Sequence, residues 1–231
     1  VLQRMTDMIA HRGPDSEGHY IDEHAALGHR RLSIIDLGGG QQPIYNEDGS
    51  KVITFNGEIY NYQTLREELI AAGHTFTTKS DTEVLLHGYE QWGVDLLQRV
   101  RGMFTFVIWD KNKQELFGAR DHFGIKPFYY AKMNGTFMYA SEIKSLLRHP
   151  DFVKELNAEA LKPYMTFQYP AIGETFFKGV YKLPEGHYFT YRDGKMDIHR
   201  YYDEDFREGK QKLGELVNSI DQTVCDSVKA H

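Results

Sequence analysis

The chain has 231 residues, of which 41% are hydrophobic and 26% are charged, a composition that predicts one globular domain with a sizeable core. The formal net charge of −6 argues against a protein that binds nucleic acid by electrostatic attraction. The sequence has no apolar run of membrane-spanning length and no signal-peptide pattern, and its single cysteine excludes a disulfide framework, so we expect a protein of the reducing cytoplasm.

The first part of the chain is predicted to form a helix followed by short strands. Apolar residues recur at helical spacing from residue 2 to residue 9, and no capping residue precedes them. We therefore expect the native polypeptide to continue before Val1. Extended segments are then predicted at 19–21, 25–30 and 32–36, with a hairpin turn at 47–49.

The next stretch combines a strand, a turn and a helix. Residues 52–55 are strand formers, and the pair Asn56-Gly57 is predicted to break the strand because both residues tolerate left-handed backbone angles. A helix over about 62–72 follows and ends at Gly73. At such a turn, the Asn56 amide and the Gly57 N–H could donate to one oxygen, as an oxyanion hole requires. Asn-Gly is also a common turn dipeptide, and on this stretch alone a plain turn is the better-supported interpretation.

The remaining elements alternate between helices and antiparallel strands. Residues 76–78 are predicted to form a short strand, and Ser80 with Glu83 marks the start of a helix that runs to about Trp92. A short helix at 95–100 precedes a meander of strands at 103–109, 115–120, 128–130 and 137–140. Helices at 142–148, 157–167 and 212–229 and strands at 180–183 and 187–192 complete the chain. This pattern predicts an α+β layered sandwich.

Four polar residues lie at predicted element boundaries, where binding sites are common: Arg31, Asn56, Glu58 and Asp81. Arg31 offers a planar fork suited to a carboxylate, and Asp81 at a helix N-terminus could hold an ammonium group. With the oxyanion pocket, these residues describe a site for an α-amino acid that has a reactive side-chain carbonyl. The structural alternatives are an Asp that only caps its helix and an Arg that is only solvated.

Other patterns for metal binding or nucleophilic catalysis are missing from the sequence. None of the 11 histidines forms an H-x-x-x-H pair with a partner acid, so no metal site is predicted. Cys225 lies in the last predicted helix without a patterned histidine and is interpreted as a structural residue. There is neither a G-x-S-x-G motif nor a phosphate-binding loop, and no residue supplies a nucleophile with its base.

An ordered set of motifs resembles one known family. Those in the first half resemble the glutaminase domain of class II glutamine amidotransferases: HRGPD at 11–15, RLSIID at 31–36, FNGEIYN at 55–61 and SDTE at 80–83. Those in the second half resemble glutamine-hydrolysing asparagine synthetases of the bacterial type: RGMF at 101–104, WD at 109–110, ARDHFGIKP at 119–127, SEIK at 141–144 and LPEGH at 183–187. Each motif alone is modest, whereas their order along nearly the whole chain is very specific.

The resemblance implies an N-terminal-nucleophile hydrolase fold, which is a four-layer αββα sandwich of two antiparallel sheets. It also implies a glutamine site in which Arg31 binds the α-carboxylate, helped by the backbone at Leu32 and Ile34.

The resemblance assigns the remaining site residues to the amino group and to the reacting amide of glutamine. Asp81, with Glu58 and the Gly57 region, would hold the α-amino group. The Asn56 amide and the Gly57 N–H would form the oxyanion hole for a reaction that yields glutamate and ammonia.

The resemblance further implies a larger protein. Residues 1–205 would be an N-terminally truncated glutaminase domain, and residues 206–231 a linker and first helix toward a missing synthetase domain, which amidates aspartate with ATP and Mg²⁺. No cofactor is expected in the glutaminase domain itself. The family's nucleophile is an N-terminal cysteine whose own α-amine acts as the base, whereas this chain starts with Val1, and Cys225 cannot replace that residue. We therefore expect the 231-residue chain not to hydrolyse glutamine by itself.

Two other functions remain open on the sequence. One is a binding or scaffold domain that has lost its nucleophile, although the retained pocket residues argue against it. The other is the glutaminase domain of another class II amidotransferase that acts on sugar phosphates or nucleotide precursors, against which the FGIKP and LPEG stretches count. Glutamine and the synthetase domain are the expected partners, a homodimer is common in the family, and neither nucleic acid nor a membrane is expected.

Overall fold

The computed structural model describes residues 1–33, 36, 38–169, 173–207, 209 and 211–230. The strands are β1 (Ser16–Ile21), β2 (Ala26–Arg31), β3 (Ile44–Tyr45), β4 (Lys51–Ile59), β5 (Gly102–Asp110), β6 (Glu115–Arg120), β7 (Tyr129–Met133), β8 (Thr136–Ala140), β9 (Val180–Lys182), β10 (His187–Arg192) and β11 (Lys195–Arg200). The helices are α1 (Leu2–Asp7), α2 (Tyr62–Ala71), α3 (Asp81–Trp92), α4 (Ile143–Leu146), α5 (Ala158–Phe167) and α6 (Leu213–Ala230), with a 3₁₀-helix at Gly93–Gln98.

The elements form four layers, which confirms the predicted α+β class and αββα sandwich. One inner layer is a six-stranded antiparallel sheet in the order β11-β10-β6-β5-β4-β3. The other inner layer is divided in the described residues between the pair β1-β2 and the three-stranded sheet β8-β7-β9. Helices α2 and α3 pack on the large sheet, while α1 and α4 pack beside β2 and β8.

Alternate residues of the central strands serve two different cores. Ile53 on β4 and Phe104 on β5 pack against α2 and α3, whereas Val52 and Val107 face the small sheets. Because helices cover one face and strands cover the other, β5 is an almost uninterrupted apolar run, and residues 52–55 of β4 are buried. The prediction that residues 103–109 are buried on both faces is therefore confirmed.

The predicted strand break at Asn56-Gly57 is wrong. Strand β4 continues through both residues to Ile59, with Gly57 opposite Phe104 of β5. Glycine is needed for another reason, because a Cβ atom at position 57 would lie 2.1 Å from the carbonyl oxygen of Met103. The close approach of two strand backbones, rather than a turn, explains the glycine at position 57.

Gly102 on β5 approaches the backbone of β4 equally closely, so the explanation can be tested at this second glycine. A Cβ atom there would lie 2.1 Å from the carbonyl oxygen of Glu58. We expect Gly102→Ala to lower the free energy of unfolding by about 1–3 kcal/mol in urea denaturation, because the strands must move apart to admit the methyl group. The control is Gly38→Ala, where no atom lies within 4 Å of the added methyl. Equal stability of the two variants would contradict the argument.

Two further predictions about strands are wrong. In the described structure, residues 76–78 form no strand, because the backbone N–H groups of residues 77 and 78 donate to the carboxylate of Glu83 at 2.7 Å. The predicted meander is divided, since β5 and β6 belong to the large sheet and β7 and β8 to the three-stranded sheet. The connection between them is held by Arg120, whose guanidinium donates to the carbonyl oxygens of Lys126 and Leu183 at 2.8 and 2.7 Å.

Helix α6 is present as predicted and is amphipathic. None of its described residues is buried, and its apolar side chains, such as Leu213 and Val228, are exposed. No helix in the described ranges combines the length and the apolar character that are needed to cross a lipid bilayer.

Candidate active site

A cavity of about 990 Å³ lies where β2, β4 and β8 meet α1 and the start of α3. Its lining includes residues from Val1 to Asp193, and among them are all the predicted site residues that the structure describes: Arg31, Leu32, Asn56, Gly57, Glu58 and Asp81. Ile34, the remaining predicted residue, lies outside the described residues. The fold thus brings the predicted residues into one place, and their individual roles stay predictions.

Asn56 presents a hydrogen-bond donor without a partner. Residues two apart on a strand share a face, so Asn56 and Glu58 point to the same side as Thr54, whose hydroxyl lies 3.1 Å from that of Tyr139 on β8. Asn56 Nδ2 is buried and has no hydrogen-bond partner among the described residues. A buried amide without a partner costs about 1–3 kcal/mol, and such a group is expected where a ligand supplies the acceptor.

The free edge of β4 directs a second donor into this region. The Phe55 N–H donates to Gln42 Oε1 at 2.6 Å, and the Ile59 N–H donates to Asp81 Oδ2 at 3.0 Å. Because the backbone groups of alternate residues share one edge of a strand, the N–H of Gly57, midway between them, points to the same edge. Gly57 and Asn56 therefore offer two neighbouring donors, which is the arrangement that an oxyanion requires.

Asp81 is the first residue of α3 and is buried. It does not cap the helix, because the Ser80 side chain accepts the hydrogen bond from the Thr82 N–H. Burial raises the pKa of Asp81 to about 6, and the Glu58 carboxylate adds to this effect, while the hydrogen bond from Ile59 opposes it. An acid in this environment gains from a neighbouring cation, such as an ammonium group.

Arg31, at the end of β2, is buried and reaches the cavity from the other side. Its Nη2 donates to the carbonyl oxygen of Asp36 at 2.8 Å. Gly40 allows this position, since a Cβ atom there would lie 2.7 Å from Nη2. The side chain of Leu32 is exposed, so a role for this residue at the ligand would have to involve its backbone, as the sequence predicts.

Two polar residues of the cavity lining, Gln42 and His29, are not predicted from the sequence. Gln42 bonds both backbone groups of Phe55 and also donates to Thr82 Oγ1 at 3.3 Å. His29 donates its Nε2–H to the Phe55 carbonyl at 2.9 Å, and burial lowers the pKa of His29 to about 4, so its imidazole is neutral. His29 lies two residues before Arg31 on β2, so the two side chains share one face of the strand, and this spacing indicates His29 as a further site residue. Gln42 follows no comparable pattern.

The site can bind a molecule that carries an anionic group, a cationic group and a polar carbonyl. Arg31 supplies the positive charge, Asp81 and Glu58 supply negative charge, and Asn56 with Gly57 supplies donors. Cys225, the one cysteine of the sequence, is exposed on α6 and is not part of this lining. The described residues of the cavity thus offer charged groups and hydrogen-bond donors, and no cysteine is among them.

Comparison with known proteins assigns the chain to a family. Residues 1–202 match the family described as "Glutamine amidotransferase domain". The chain is 46% identical to glutamine-hydrolyzing asparagine synthetase 1 of Bacillus subtilis (strain 168) over 100% of its own length and 37% of that protein. It is 36% identical to glutamine-hydrolyzing asparagine synthetase 3 of the same organism, over 98% of the chain and 38% of that protein. It is 35% identical to amidase chry2 of Gibberella zeae, over 99% of the chain and 34% of that protein.

The fold and the site define an α+β domain whose cavity carries charged groups of both signs. The chain belongs to the family of glutamine amidotransferase domains, and the predicted resemblance to glutamine-hydrolysing asparagine synthetases is confirmed. The fold is also that of a glutamine phosphoribosylpyrophosphate amidotransferase from B. subtilis, with a TM-score of 0.54 at 21% identity over 78% of this chain and 35% of that one. The chain spans a little over a third of the length of the asparagine synthetases that it matches.

Proposed function

We propose that this domain binds L-glutamine and is the glutaminase part of a glutamine-hydrolysing asparagine synthetase. The observation that carries the proposal is the buried, unpartnered amide of Asn56 in one cavity with a buried arginine and a buried aspartate. The similarity to two asparagine synthetases over nearly the whole chain supports the kind of larger enzyme.

In the proposed complex, each end of glutamine contacts a different element. Arg31 on β2 binds the α-carboxylate, with backbone groups at Leu32 and Ile34. Asp81 at the start of α3, with Glu58 on β4, holds the α-ammonium group. The side-chain amide of glutamine then reaches the donors of Asn56 and Gly57.

Hydrolysis also needs a thiol, for which we propose an extended segment outside these 231 residues. In the described part of the chain, β2 and β8 are each paired along one edge only, and every residue of both strands lines the cavity. A strand placed between them would join the two small sheets, and the open edges would satisfy its backbone groups. This location would bring a side chain at one end of the added strand beside Asn56.

The proposed reaction has two covalent steps. The thiolate attacks the side-chain carbonyl carbon of glutamine, and Asn56 Nδ2 and the Gly57 N–H stabilise the resulting oxyanion. The C–N bond then breaks, and ammonia leaves with the proton that the base, the α-amine of the cysteine, took from the thiol. Water hydrolyses the thioester to glutamate and restores the thiol.

The rest of the proposed enzyme uses the ammonia. A synthetase domain with ATP and Mg²⁺ would convert aspartate to asparagine, and this domain itself would need no cofactor. Residues 206–231 would link the two domains, for which the exposed apolar side chains of α6 offer a contact surface. A homodimer and a cytoplasmic location complete the proposal.

A second candidate function is a glutaminase domain that serves a different acceptor. The similarity to the amidase chry2 of Gibberella zeae, at 35% identity over 99% of the chain, supports this second candidate. The full-length protein, supplied with glutamine, ATP and Mg²⁺, distinguishes the two candidates. Formation of asparagine from aspartate supports the first, whereas glutamate release with amidation of another carboxylic acid supports the second.

Glutamine binding by Arg31 variants tests the proposed site. We expect the 231-residue chain to bind L-glutamine in isothermal titration calorimetry, and Arg31→Ala to weaken binding about 10- to 100-fold, because a hydrogen bond between charged groups contributes about 1.5–3 kcal/mol. The control is Arg99→Ala, which removes an exposed arginine paired with Glu68. Absence of binding by the unaltered chain, or unchanged binding by Arg31→Ala, would contradict the proposal.

Asp81→Asn is expected to increase stability while it abolishes glutamine binding. The folded-state pKa of Asp81, about 6, lies above the ordinary value of 3.8, so its contribution to stability is fully present below pH 3.8 and is lost as the pH rises through 6. We expect the variant to gain about 1–3 kcal/mol in urea denaturation at pH 7.5, and to lose that gain near pH 4. Glutamine affinity of the unaltered chain should fall as the pH drops below 6. A variant less stable than the unaltered chain at pH 7.5 would contradict this account.

A further inference from the structure

Four possible metal ligands meet at a place that is separate from the glutamine cavity. They are Glu47 from the β3–β4 turn, His74 from the segment after α2, and His87 and Glu90 from α3. One ligand atom from each lies within 4.8 Å of all the others. None of these four residues belongs to the described lining of the 990 Å³ cavity.

The spacing of these atoms suits a small ion. His87 Nδ1 is 3.0 Å from Glu90 Oε2 and 3.4 Å from Glu47 Oε2, and His74 Nδ1 is 3.5 Å from Glu47 Oε1. A tetrahedral ion with ligands at about 2.0–2.1 Å holds those ligands roughly 3.3 Å apart. The two contacts of His87 Nδ1, with Glu90 Oε2 and Glu47 Oε2, are therefore already close to the separation that a bound ion would impose, while His74 Nδ1 contacts the other oxygen of Glu47.

Both histidines are oriented as metal ligands usually are. Each turns Nδ1 into the cluster and Nε2 toward an acceptor outside it: His74 Nε2 lies 3.2 Å from Gln91 Oε1, and His87 Nε2 lies 3.6 Å from Glu83 Oε1. His87 is 1% exposed, and its Nε2 has no hydrogen-bond partner in the part of the chain that the structure describes. At His74, the outer acceptor is within hydrogen-bond distance, so it keeps the proton on Nε2 and leaves the Nδ1 lone pair for a metal.

The two carboxylates are held in the same way. Glu90 Oε1 accepts a hydrogen bond from Asn46 Nδ2 at 2.7 Å, and Glu47 Oε1 accepts one from the Thr75 N–H at 3.1 Å. The second oxygen of each carboxylate, Oε2, faces His87 Nδ1. The inner oxygens are thus directed to one point by partners outside the cluster.

The charges of the cluster favour a cation at that point. Three carboxylates, those of Glu47, Glu83 and Glu90, surround His87, and Lys51 is the neighbouring cation, 3.4 Å from Glu90. A divalent ion at His87 Nδ1 would balance the three carboxylates together with Lys51.

We propose that Glu47, His74, His87 and Glu90 form a structural site for one divalent transition-metal ion, with Zn²⁺ as the ion that fits. Two imidazole nitrogens and two carboxylate oxygens are ligands that Zn²⁺ accepts in tetrahedral geometry. Ca²⁺ and Mg²⁺ prefer six or more oxygen ligands. Because all four positions are filled by protein atoms, the ion would fasten the β3–β4 turn and the segment after α2 to helix α3.

The ion can reach the site without unfolding of the chain. The side chain of Glu47 is 38% exposed. It also lines a cavity of about 320 Å³ together with Asn46, Thr75 and Glu83. The sequence predicts no metal site because its ligands come from three separate segments and lack the H-x-x-x-H spacing.

Titration of the 231-residue chain with Zn²⁺ in chelator-free buffer tests the proposal. We expect one Zn²⁺ bound per chain in isothermal titration calorimetry and a higher Tm with Zn²⁺ than with a chelator. Glu47→Gln and His74→Gln should each weaken binding at least about 10-fold. His199→Gln, which changes an exposed histidine on β11, should bind Zn²⁺ like the unaltered chain. Co²⁺ in place of Zn²⁺ should show the intense visible absorption of a four-coordinate ion.

Several outcomes would overturn the site. These are the absence of saturable Zn²⁺ binding, binding that Glu47→Gln and His74→Gln leave unchanged, binding that His199→Gln weakens equally, or a weak six-coordinate Co²⁺ spectrum. The test does not depend on folding of a core variant, because Glu47 and His74 have partly exposed side chains. Far-ultraviolet circular dichroism of each variant checks that the fold is retained.

Discussion

Replacing Glu83 by alanine is expected to lower the free energy of unfolding by about 3–5 kcal/mol in urea denaturation at pH 7. Glu83 is buried, and its two oxygens accept four hydrogen bonds, from the N–H and hydroxyl groups of Thr77 and Thr78 at 2.6–2.9 Å. The variant would leave those donors unpaired and would remove a carboxylate next to the protonated His87. Within the segment between α2 and α3, residues 77 and 78 are thus held to α3 by this side chain.

The same variant should lose a pH dependence that the unaltered chain shows in acid. Burial by itself would raise the pKa of Glu83, but His87, Thr77 and Thr78 lower it to about 2, below the ordinary value of 4.5. Its contribution to stability is therefore fully present above pH 4.5 and is lost as the pH falls toward 2. Between about pH 5 and pH 2, we expect the unaltered chain to lose roughly 3 kcal/mol more than Glu83→Ala.

Two further variants make the Glu83 result specific. Glu67→Ala removes an exposed carboxylate from α2 and should change the free energy of unfolding by less than about 0.5 kcal/mol. Glu83→Gln keeps the volume of the side chain and one acceptor, and should lie between Glu83→Ala and the unaltered chain at pH 7. A loss of less than about 1 kcal/mol in Glu83→Ala would show that the four hydrogen bonds contribute little.

Replacing Asn56 by alanine is expected to lower kcat for glutamine hydrolysis about 100- to 1,000-fold, in a form of the protein that includes the proposed thiol segment. In the structure described here, Asn56 Nδ2 has no partner among the described residues. We propose that its bond to the glutamine oxygen strengthens as negative charge develops there. The loss should therefore fall on kcat, while KM for glutamine changes by less than about threefold. Glutamate release under saturating and limiting glutamine measures both constants.

Controls separate this effect from a change in folding. Asn56→Asp keeps the shape of the side chain but replaces its donor by an acceptor, and should be at least as inactive as Asn56→Ala. Asn112→Ala, on the exposed turn between β5 and β6, should retain full activity. Asn56→Ala should also be no less stable than the unaltered chain, because it removes a buried donor that lacks a partner. A rise in KM with unchanged kcat would assign Asn56 to substrate binding instead.

The candidate site was predictable from the sequence only in part. Arg31, Asn56 and Asp81 stand out as polar residues at element boundaries, and the ordered motifs associate them with glutamine. Nothing in their spacing reveals that β4 continues through Asn56, so the donors lie on a strand edge rather than in a turn. Gln42, which holds that edge through Phe55, comes from a segment without a recognisable pattern.

For Glu83, the sequence predicts the position in a helix but not the contacts of the side chain. Its position three residues after Ser80 predicts a helix start, and α3 does begin there, with the Ser80 hydroxyl bonded to the Thr82 N–H at 3.1 Å. The carboxylate of Glu83, however, binds the segment at 77–78. The sequence indicates the helix because capping is a local interaction. It does not indicate that the Glu83 carboxylate accepts hydrogen bonds from residues 77 and 78.

By itself, the sequence determined where most helices and strands lie and to which family the chain belongs. Hydrophobic periodicity, capping residues and turns act over a few neighbouring positions, so they can be seen without a structure. Only the tertiary structure decided that the meander is divided between two sheets, that His29 and Gln42 hold the edge of β4, and that Glu47, His74, His87 and Glu90 meet. Strand pairing and buried polar contacts join residues that are far apart in the chain, and their partners are fixed by packing rather than by any local pattern.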